Sequence, residues 1–101
     1  MDNTRTIWKY KIEVADESTI KVPAGAKVLS ASEQNDNIVM YMLVPYDNDP
    51  DIVKDIEIRV VGTGHKIEFD PFRDFKFLAT ITFHHGSPIY HVFYKEGIYW
   101  G

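Results

Sequence analysis

Residues 61–66 read Val-Gly-Thr-Gly-His-Lys, a run that contains the residue types able to hold an anion. Two glycines can bring bare backbone amides close to a negative ligand, and the histidine and lysine add further donors. The run matches neither nucleotide fingerprint, because GxGxxG would need glycine at Ile67 and GxxxxGK has no counterpart here. The pattern predicts either a turn that ends a strand or a ligand site. The candidate ligand residues are Gly62, Thr63, Gly64, His65 and Lys66.

Three histidines form a second group with possible chemistry. If Gly86 and Ser87 form the tip of a hairpin, His84 and His91 lie near one end of the same ladder and can meet. His85 would then point to the opposite face, which leaves a zinc or iron ion short of a third ligand. We therefore expect no metal site, and we expect histidines that are hydrogen-bonded in the ordinary way.

The acidic loop at residues 47–51 resembles the first half of a calcium-binding loop, since Asp47, Asp49 and Asp51 place oxygen ligands at positions 1, 3 and 5. Position 6 would require glycine, where Ile52 stands, and position 12 would require a bidentate carboxylate, where Ile58 stands. The second half of the motif is missing. We expect a solvated loop.

No set of residues predicts catalysis. Ser87 is close to two histidines, but a turn cannot provide the strand, elbow and helix geometry of a GxSxG nucleophile. Asp70 and Asp74 carry no glycosidase signature. We therefore predict that the chain is not an enzyme and that it has no cofactor.

Length and composition limit the remaining possibilities. The chain has 101 residues, a formal net charge of −4, 45% hydrophobic residues and no cysteine. These values predict one domain over residues 1–101 with a real core, and the absence of cysteine fits a reducing compartment. The acidic balance argues against nucleic acid as a partner, and no apolar run is long enough for a membrane span. We expect a cytoplasmic protein.

The dominant hydrophobic period is two, which is typical of strands with one buried face. It predicts Trp8 and Tyr10 on an inward row, and it places Phe75, Phe77 and Ile81 together on another. The seven predicted β segments are residues 6–14, 18–22, 27–34, 38–44, 54–61, 75–83 and 89–95. The unbroken apolar run at residues 38–44 predicts the central strand. This pattern favours an all-β fold, either a compact antiparallel β-sandwich or a small barrel of about seven strands, with little helix.

Four stretches together resemble one family of proteins. They are Thr-Ile-Trp-Lys-Tyr at residues 6–10, Pro-Ala-Gly-Ala-Lys-Val-Leu-Ser at 23–30, Val-Gly-Thr-Gly-His at 61–65, and Phe-His-His-Gly-Ser-Pro-Ile-Tyr-His-Val-Phe at 83–93. The chain is similar, from Arg5 to Phe93, to small uncharacterised proteins encoded by bacteriophages and prophages. The resemblance implies a phage origin and an accessory protein that acts by binding in the cytoplasm of a host cell.

For such a protein we expect the sequestration of a cyclic nucleotide or a related anionic immune signal of the host. Residues 62–66 would hold the ligand, and Arg59 or Arg73 would pair with its phosphate. Tyr99 and Trp100 in the tail are predicted to form a subunit interface of a homo-oligomer. The alternatives are a module that inhibits a host protein through protein–protein contact and a minor structural component of the virion.

Overall fold

A computed structural model describes residues 3–100 of the chain, with side chains described for residues 3–97. Over residues 3–100 the chain forms seven strands and no helix. The strands are β1 (Arg5–Ile12), β2 (Glu17–Pro23), β3 (Lys27–Gln34), β4 (Asn37–Pro45), β5 (Val53–Gly62), β6 (Lys76–Thr82) and β7 (Ile89–Trp100). An apolar helix of membrane-spanning length is therefore not present in that part of the chain.

The strands form two antiparallel sheets. One sheet has three strands in the order β1-β4-β3, and the other has four strands in the order β2-β5-β7-β6. Two separate sheets with a shared core make a sandwich rather than a closed barrel. The predicted all-β fold of about seven strands with little helix is confirmed.

The core lies between the two sheets. β4 is the central strand of its sheet, as its apolar run predicted, and its inward residues Ile38, Met40 and Met42 are fully buried. Along β5, buried Ile56 and Ile58 alternate with half-buried residues on the outer face. Burial of side chains from both sheets in one cluster supplies the main driving force for folding.

The turn between β3 and β4 shows how local sequence sets the register. Asn35 and Asp36 adopt positive φ angles of 52° and 64°. Two consecutive left-handed residues are typical of the type I′ turn, whose twist matches that of a two-stranded hairpin. The predicted hairpin at residues 35–37 is therefore confirmed.

The predicted inward row at residues 75–83 is wrong at Phe77, and also at Phe75, which is buried on the outer face against Arg59 and Lys95 rather than in the core between the sheets. The register shifts between Phe77 and Ala79, so that Phe77 lies opposite Phe93 on the outer face while Ala79 lies opposite Val92 on the inner face. Such a bulge adds one residue to a strand and reverses the side on which the following residues point. Phe77 is consequently 55% exposed, whereas Ile81 is buried.

The predicted burial of Trp8 is also wrong. Tyr10 packs against the core and Ile12 is buried, but Trp8 on the same row is 40% exposed. The inward row of β1 is therefore covered only towards its C-terminal end. Burial raises the pKa of the Tyr10 hydroxyl, in keeping with that position.

Lys54 is the only charged residue in the described part of the chain that is buried. It lies near the start of β5, and its Nζ donates a hydrogen bond to Glu96 Oε1 on β7. This bond is the main cause of the lowered pKa of Glu96. The buried ammonium group of Lys54 is thus paired with the carboxylate of Glu96, which is partly exposed to solvent.

Replacing Glu96 with glutamine should lower the free energy of unfolding at neutral pH by about 1–2 kcal/mol, because a buried ammonium loses its charged partner. Water screens the pair, since the Glu96 side chain is 44% exposed, and the effect is therefore smaller than for a fully buried pair. The pKa of Glu96 is lower in the folded chain than in the unfolded chain. The ion pair therefore contributes fully to the free energy of unfolding above the unfolded-state pKa, and this contribution is lost as the pH falls through the folded-state pKa.

Urea unfolding of the wild type and the Glu96→Gln variant as a function of pH measures this contribution. The two stabilities should converge in acid. Glu13→Gln, at an exposed position just after β1, is the matched control and should change little at any pH. A stability difference for Glu96→Gln that is the same at every pH would refute the assignment.

Candidate functional site

The bend at residues 62–66 follows β5 directly. Gly64 has a φ angle of 88°, a left-handed conformation that glycine adopts without strain. The Thr63 amide donates to the Ile89 carbonyl at 3.1 Å, and the His65 amide donates to the Gly62 carbonyl at 3.0 Å. Gly62 is buried, and a Cβ added there would lie 3.0 Å from the His65 ring. The bend is therefore a formed turn with exposed side chains after Gly62, and two of its amides are already engaged.

A hollow of about 470 Å³ lies beside the bend. Three of the predicted ligand residues line it together: Arg59, His65 and Lys66. Three carboxylates that the prediction did not include also line it: Asp16, Glu17 and Glu68. The charges around this hollow are therefore mixed, and they do not favour an anionic ligand over a neutral one.

Arg59 is already surrounded by partners. Its guanidinium lies 3.6 Å from Glu57 Oε1 and 3.8 Å from Glu17 Oε2, and it donates to the Ile58 carbonyl at 3.1 Å. It also lies over the ring of Phe75, 4.7 Å from the ring centre. Its side chain is only 18% exposed. A phosphate would have to compete with two carboxylates for this group, so the contacts of Arg59 are those of a structural residue.

Arg73 lines a different hollow. It borders a space of about 310 Å³ together with Phe72, Lys76 and Lys95. Arg59 lines the hollow of about 470 Å³, and the residues of the bend line that hollow or a separate shallow groove. Its Nε lies 3.2 Å from Asp74 Oδ1, and this hydrogen bond is the main cause of the raised pKa of Arg73. The structure therefore does not bring Arg73 into the hollow that Arg59, His65 and Lys66 share.

The predicted interface residues Tyr99 and Trp100 have side chains outside the described residues. Their backbones continue β7, where Tyr99 lies opposite Lys54 and Trp100 lies opposite Val53. The predicted subunit interface and homo-oligomer stay predictions.

The histidines do not meet in the way that the sequence suggested. His91 lies opposite Thr80 in the hairpin, and its ring is held between the hydroxyls of Thr63, at 2.7 Å from Nε2, and Thr80, at 3.0 Å from Nδ1. His85 stacks on Phe83 and lies 3.9 Å from Asp36. Over the described residues, no three side chains of histidine, aspartate or glutamate are grouped as metal ligands.

A segment that the sequence patterns did not predict to be functional, apart from Arg73, lies directly after the bend. Residues 67–75, which we call the strap, cross the outer face of the four-stranded sheet. The Phe69 ring packs against Phe75 at 4.9 Å and against Phe93 on β7 at 5.3 Å. Phe75 is buried, with Lys95 Nζ 5.1 Å from its ring centre in addition to Arg59. Two aromatic side chains, three residues to either side of Phe72, thus fix the strap to the sheet.

Between these two side chains the chain forms a tight turn at residues 70–74, which we call the aromatic turn. Asp70 Oδ1 accepts hydrogen bonds from the amides of Phe72 at 3.0 Å and Arg73 at 2.8 Å. These two bonds lower the pKa of Asp70, because they stabilise its charged form. The Asp74 amide also donates to the Asp70 carbonyl at 3.3 Å. The turn is therefore held in one conformation by its own side chain and backbone.

The ring of Phe72 points away from the protein. The residue is 95% exposed, the highest value among the exposed large hydrophobic residues described. Ile67, at 45%, and Phe77, at 55%, expose further apolar surface along the strap and at the bulge of β6. Ile67 and Phe77 also line a shallow groove of about 190 Å³ with Phe93 and His91. An exposed ring on a formed turn, with further apolar surface on the same strap and on β6, can bind a complementary apolar surface.

The sequence contains one signal for this turn, the run Asp-Pro-Phe-Arg-Asp at residues 70–74. Aspartate followed by proline is a common start for a turn, because the carboxylate can accept the amides that follow it. That signal places the turn but does not show which way the ring of Phe72 points.

Comparison with known proteins places the chain in a family. No match is found among curated proteins or among solved structures. A family model described as a domain of unknown function, DUF7352, matches residues 3–98. Since this match covers nearly the whole chain, the protein belongs to the DUF7352 family.

Proposed function

We propose that this chain is a recognition domain that binds another protein, with the aromatic turn as the centre of its contact surface. One observation carries the proposal: Phe72 is 95% exposed on a turn whose conformation is already fixed. Single exposed hydrophobic residues are common on protein surfaces. A phenylalanine exposed on a formed turn, in a segment whose neighbouring rings Phe69 and Phe75 are packed on the sheet, is a more specific arrangement.

The energetics favour such a role for Phe72. Burial of an exposed phenylalanine in an apolar pocket contributes about 1.5–3 kcal/mol from the hydrophobic effect alone. Binding usually loses part of this gain to the ordering of loops, but Asp70 already holds the turn through two backbone amides. Aromatic residues, phenylalanine among them, are enriched at the core of protein interfaces relative to the rest of the surface.

The surroundings of the turn can supply the polar rim of an interface. The hollow of about 310 Å³ beside it is bordered by Lys76, Lys95 and Glu96 in addition to Phe72 and Arg73. A partner can place one side chain there while it receives the Phe72 ring. Charged residues around an apolar centre are the usual composition of a protein interface.

The sequestration of an anionic nucleotide, the phage origin and the action on a host protein stay predictions. The carboxylates of Glu17 and Glu68 in the larger hollow, together with the internal partners of Arg59, favour protein recognition over nucleotide sequestration. Inhibition of the bound protein is compatible with the proposed surface. Binding would inhibit the partner only if the Phe72 ring occupies a site that the partner needs for its own activity.

Site-specific photo-crosslinking tests the proposal. A photoreactive phenylalanine analogue is placed at position 72 and, as a control, at position 46, where Tyr46 is 64% exposed on a different loop. Each protein is irradiated in an extract of the organism from which the chain comes. We expect one discrete crosslinked protein from position 72, lost when excess unmodified chain is added, and absent from position 46.

Two results would count against the proposal. One is the same crosslinked protein at both positions, which indicates non-specific contact. The other is no competable product from position 72 while the substituted chain keeps its fold, as judged by its circular dichroism spectrum.

A further inference from the structure

A second surface lies on the other sheet, at the edge formed by β1. Within the described residues β1 pairs only with β4, so one side of its backbone has no strand neighbour. Both of its faces expose large apolar residues there: Ile7 is 58% exposed on the outer face and Trp8 is 40% exposed on the other. An edge of this kind can accept an additional strand from another chain.

The outer row of β1 is positively charged. Every second residue of β1 lies on this face, and three of the four are cations: Arg5, Lys9 and Lys11, with Ile7 as the fourth. Their partners on β4 carry no charge. Lys9 donates to the neutral Gln34 side chain at 2.8 Å, and Arg5 donates to the Thr4 carbonyl at 3.4 Å. Within the described residues, no salt bridge joins these three cations to a carboxylate. The chain as a whole has a net charge of −4, so this row stands apart from the rest of the molecule.

We propose that the β1 edge binds an extended acidic segment of a protein partner by strand addition. The added strand would place acidic side chains opposite Lys9 and Lys11 and an apolar side chain opposite Trp8 on the other face. Cross-strand pairs of opposite charge stabilise a sheet, whereas like charges that face each other destabilise it. The segment that fits therefore alternates acidic and apolar residues.

The same charges argue against a second copy of this chain as the occupant. Antiparallel pairing of β1 with β1 sets cations of the outer row against each other: a register centred on Trp8 pairs Arg5 with Lys11, and one centred on Lys9 pairs Lys9 with itself. Single-stranded nucleic acid is less well matched, because the outer row of β1 has no aromatic side chain on which bases can stack. The proposal does not depend on the aromatic turn, which lies on the other sheet.

The test uses the full chain and a fluorescein-labelled nine-residue peptide that alternates glutamate and valine, with binding followed by fluorescence anisotropy. We expect saturable binding that the Lys9→Glu/Lys11→Glu variant weakens at least about 10-fold. The Lys9→Arg/Lys11→Arg variant should keep affinity within about twofold, since it keeps the charge. Lys66→Glu, at an exposed position in the bend, and Phe72→Ala should also change it by no more than about twofold.

Backbone pairing is tested with two further peptides, N-methylated at alternate amides in the two complementary sets. Strand addition requires the amides along one side of the peptide, so one set should abolish binding and the other should keep it. Full binding by both sets would overturn strand addition, and so would no binding of the parent peptide at millimolar concentration. A nine-nucleotide oligothymidylate that binds as tightly as the peptide, and that the Lys9→Glu/Lys11→Glu variant releases, would replace the proposal with a nucleic-acid surface. Circular dichroism of each variant confirms that its fold is intact.

Discussion

Replacing Phe72 with alanine should weaken binding to the crosslinked partner by about 30- to 1,000-fold, which corresponds to the 2–4 kcal/mol typical of a dominant interface residue. The reason is that Phe72 is 95% exposed in the free chain, so binding in an apolar pocket of the partner would remove a large apolar area from water. The stability of the free chain should not change by more than about 0.5 kcal/mol, since truncation of an exposed side chain leaves no cavity.

Titration calorimetry of the partner with each variant measures the effect. Tyr46→Ala is the matched control, because it removes another exposed ring, and it should leave the affinity unchanged. Phe72→Leu should keep part of the affinity, since it retains an apolar side chain of similar size. A Phe72→Ala variant that binds within about threefold of the wild type would remove the ring from the centre of the interface.

Replacing Phe75 with alanine should have the opposite profile, with a loss of about 3–5 kcal/mol in the free energy of unfolding. Phe75 is only three residues from Phe72, yet it is 6% exposed and contacts the Phe69 ring, the Arg59 guanidinium and the Lys95 ammonium. Its truncation leaves a cavity under the strap and removes the apolar surface against which both cations pack.

Urea unfolding of Phe75→Ala beside Phe72→Ala measures the contrast between two phenylalanines of one segment. If the alanine variant is too unstable to purify, Phe75→Leu should fold with a smaller loss, because leucine fills most of the space. Equal stability of Phe75→Ala and the wild type would show that the strap is not fixed to the sheet at this position, and the rigid presentation of Phe72 would lose its basis.

The strands could be predicted because their signal is local. On β5, apolar and polar residues alternate, which indicates a strand with one buried face. On β4, the unbroken apolar run indicates a central strand. The turn at Asn35 and Asp36 was predictable for the same reason, since those residue types favour left-handed backbone. Sequence patterns of this kind need no knowledge of which strands are neighbours.

The parts that could not be predicted depend on neighbours that are distant in sequence. The bulge at Phe77 follows from the pairing of β6 with β7, and no residue type at that position signals it. The partners of Arg59 come from β2, from β5 and from the strap. The sequence alone therefore indicated a cation available to a ligand, whereas in the structure Arg59 is already paired within the protein. The exposure of Phe72 likewise depends on Phe69 and Phe75, the rings three residues before and after it, because these two rings pack on the sheet.

The central claim is that the aromatic turn is the contact surface, and nuclear magnetic resonance tests it most directly. The ¹⁵N-labelled chain is titrated with the protein that is crosslinked at position 72, and the amide shifts are followed along the whole chain. We predict that the largest changes occur at residues 70–74 and at Phe77, with little change at residues 62–66 or in β1. Changes confined to residues 62–66 or to β1, with the amides of residues 70–74 unmoved, would contradict the account.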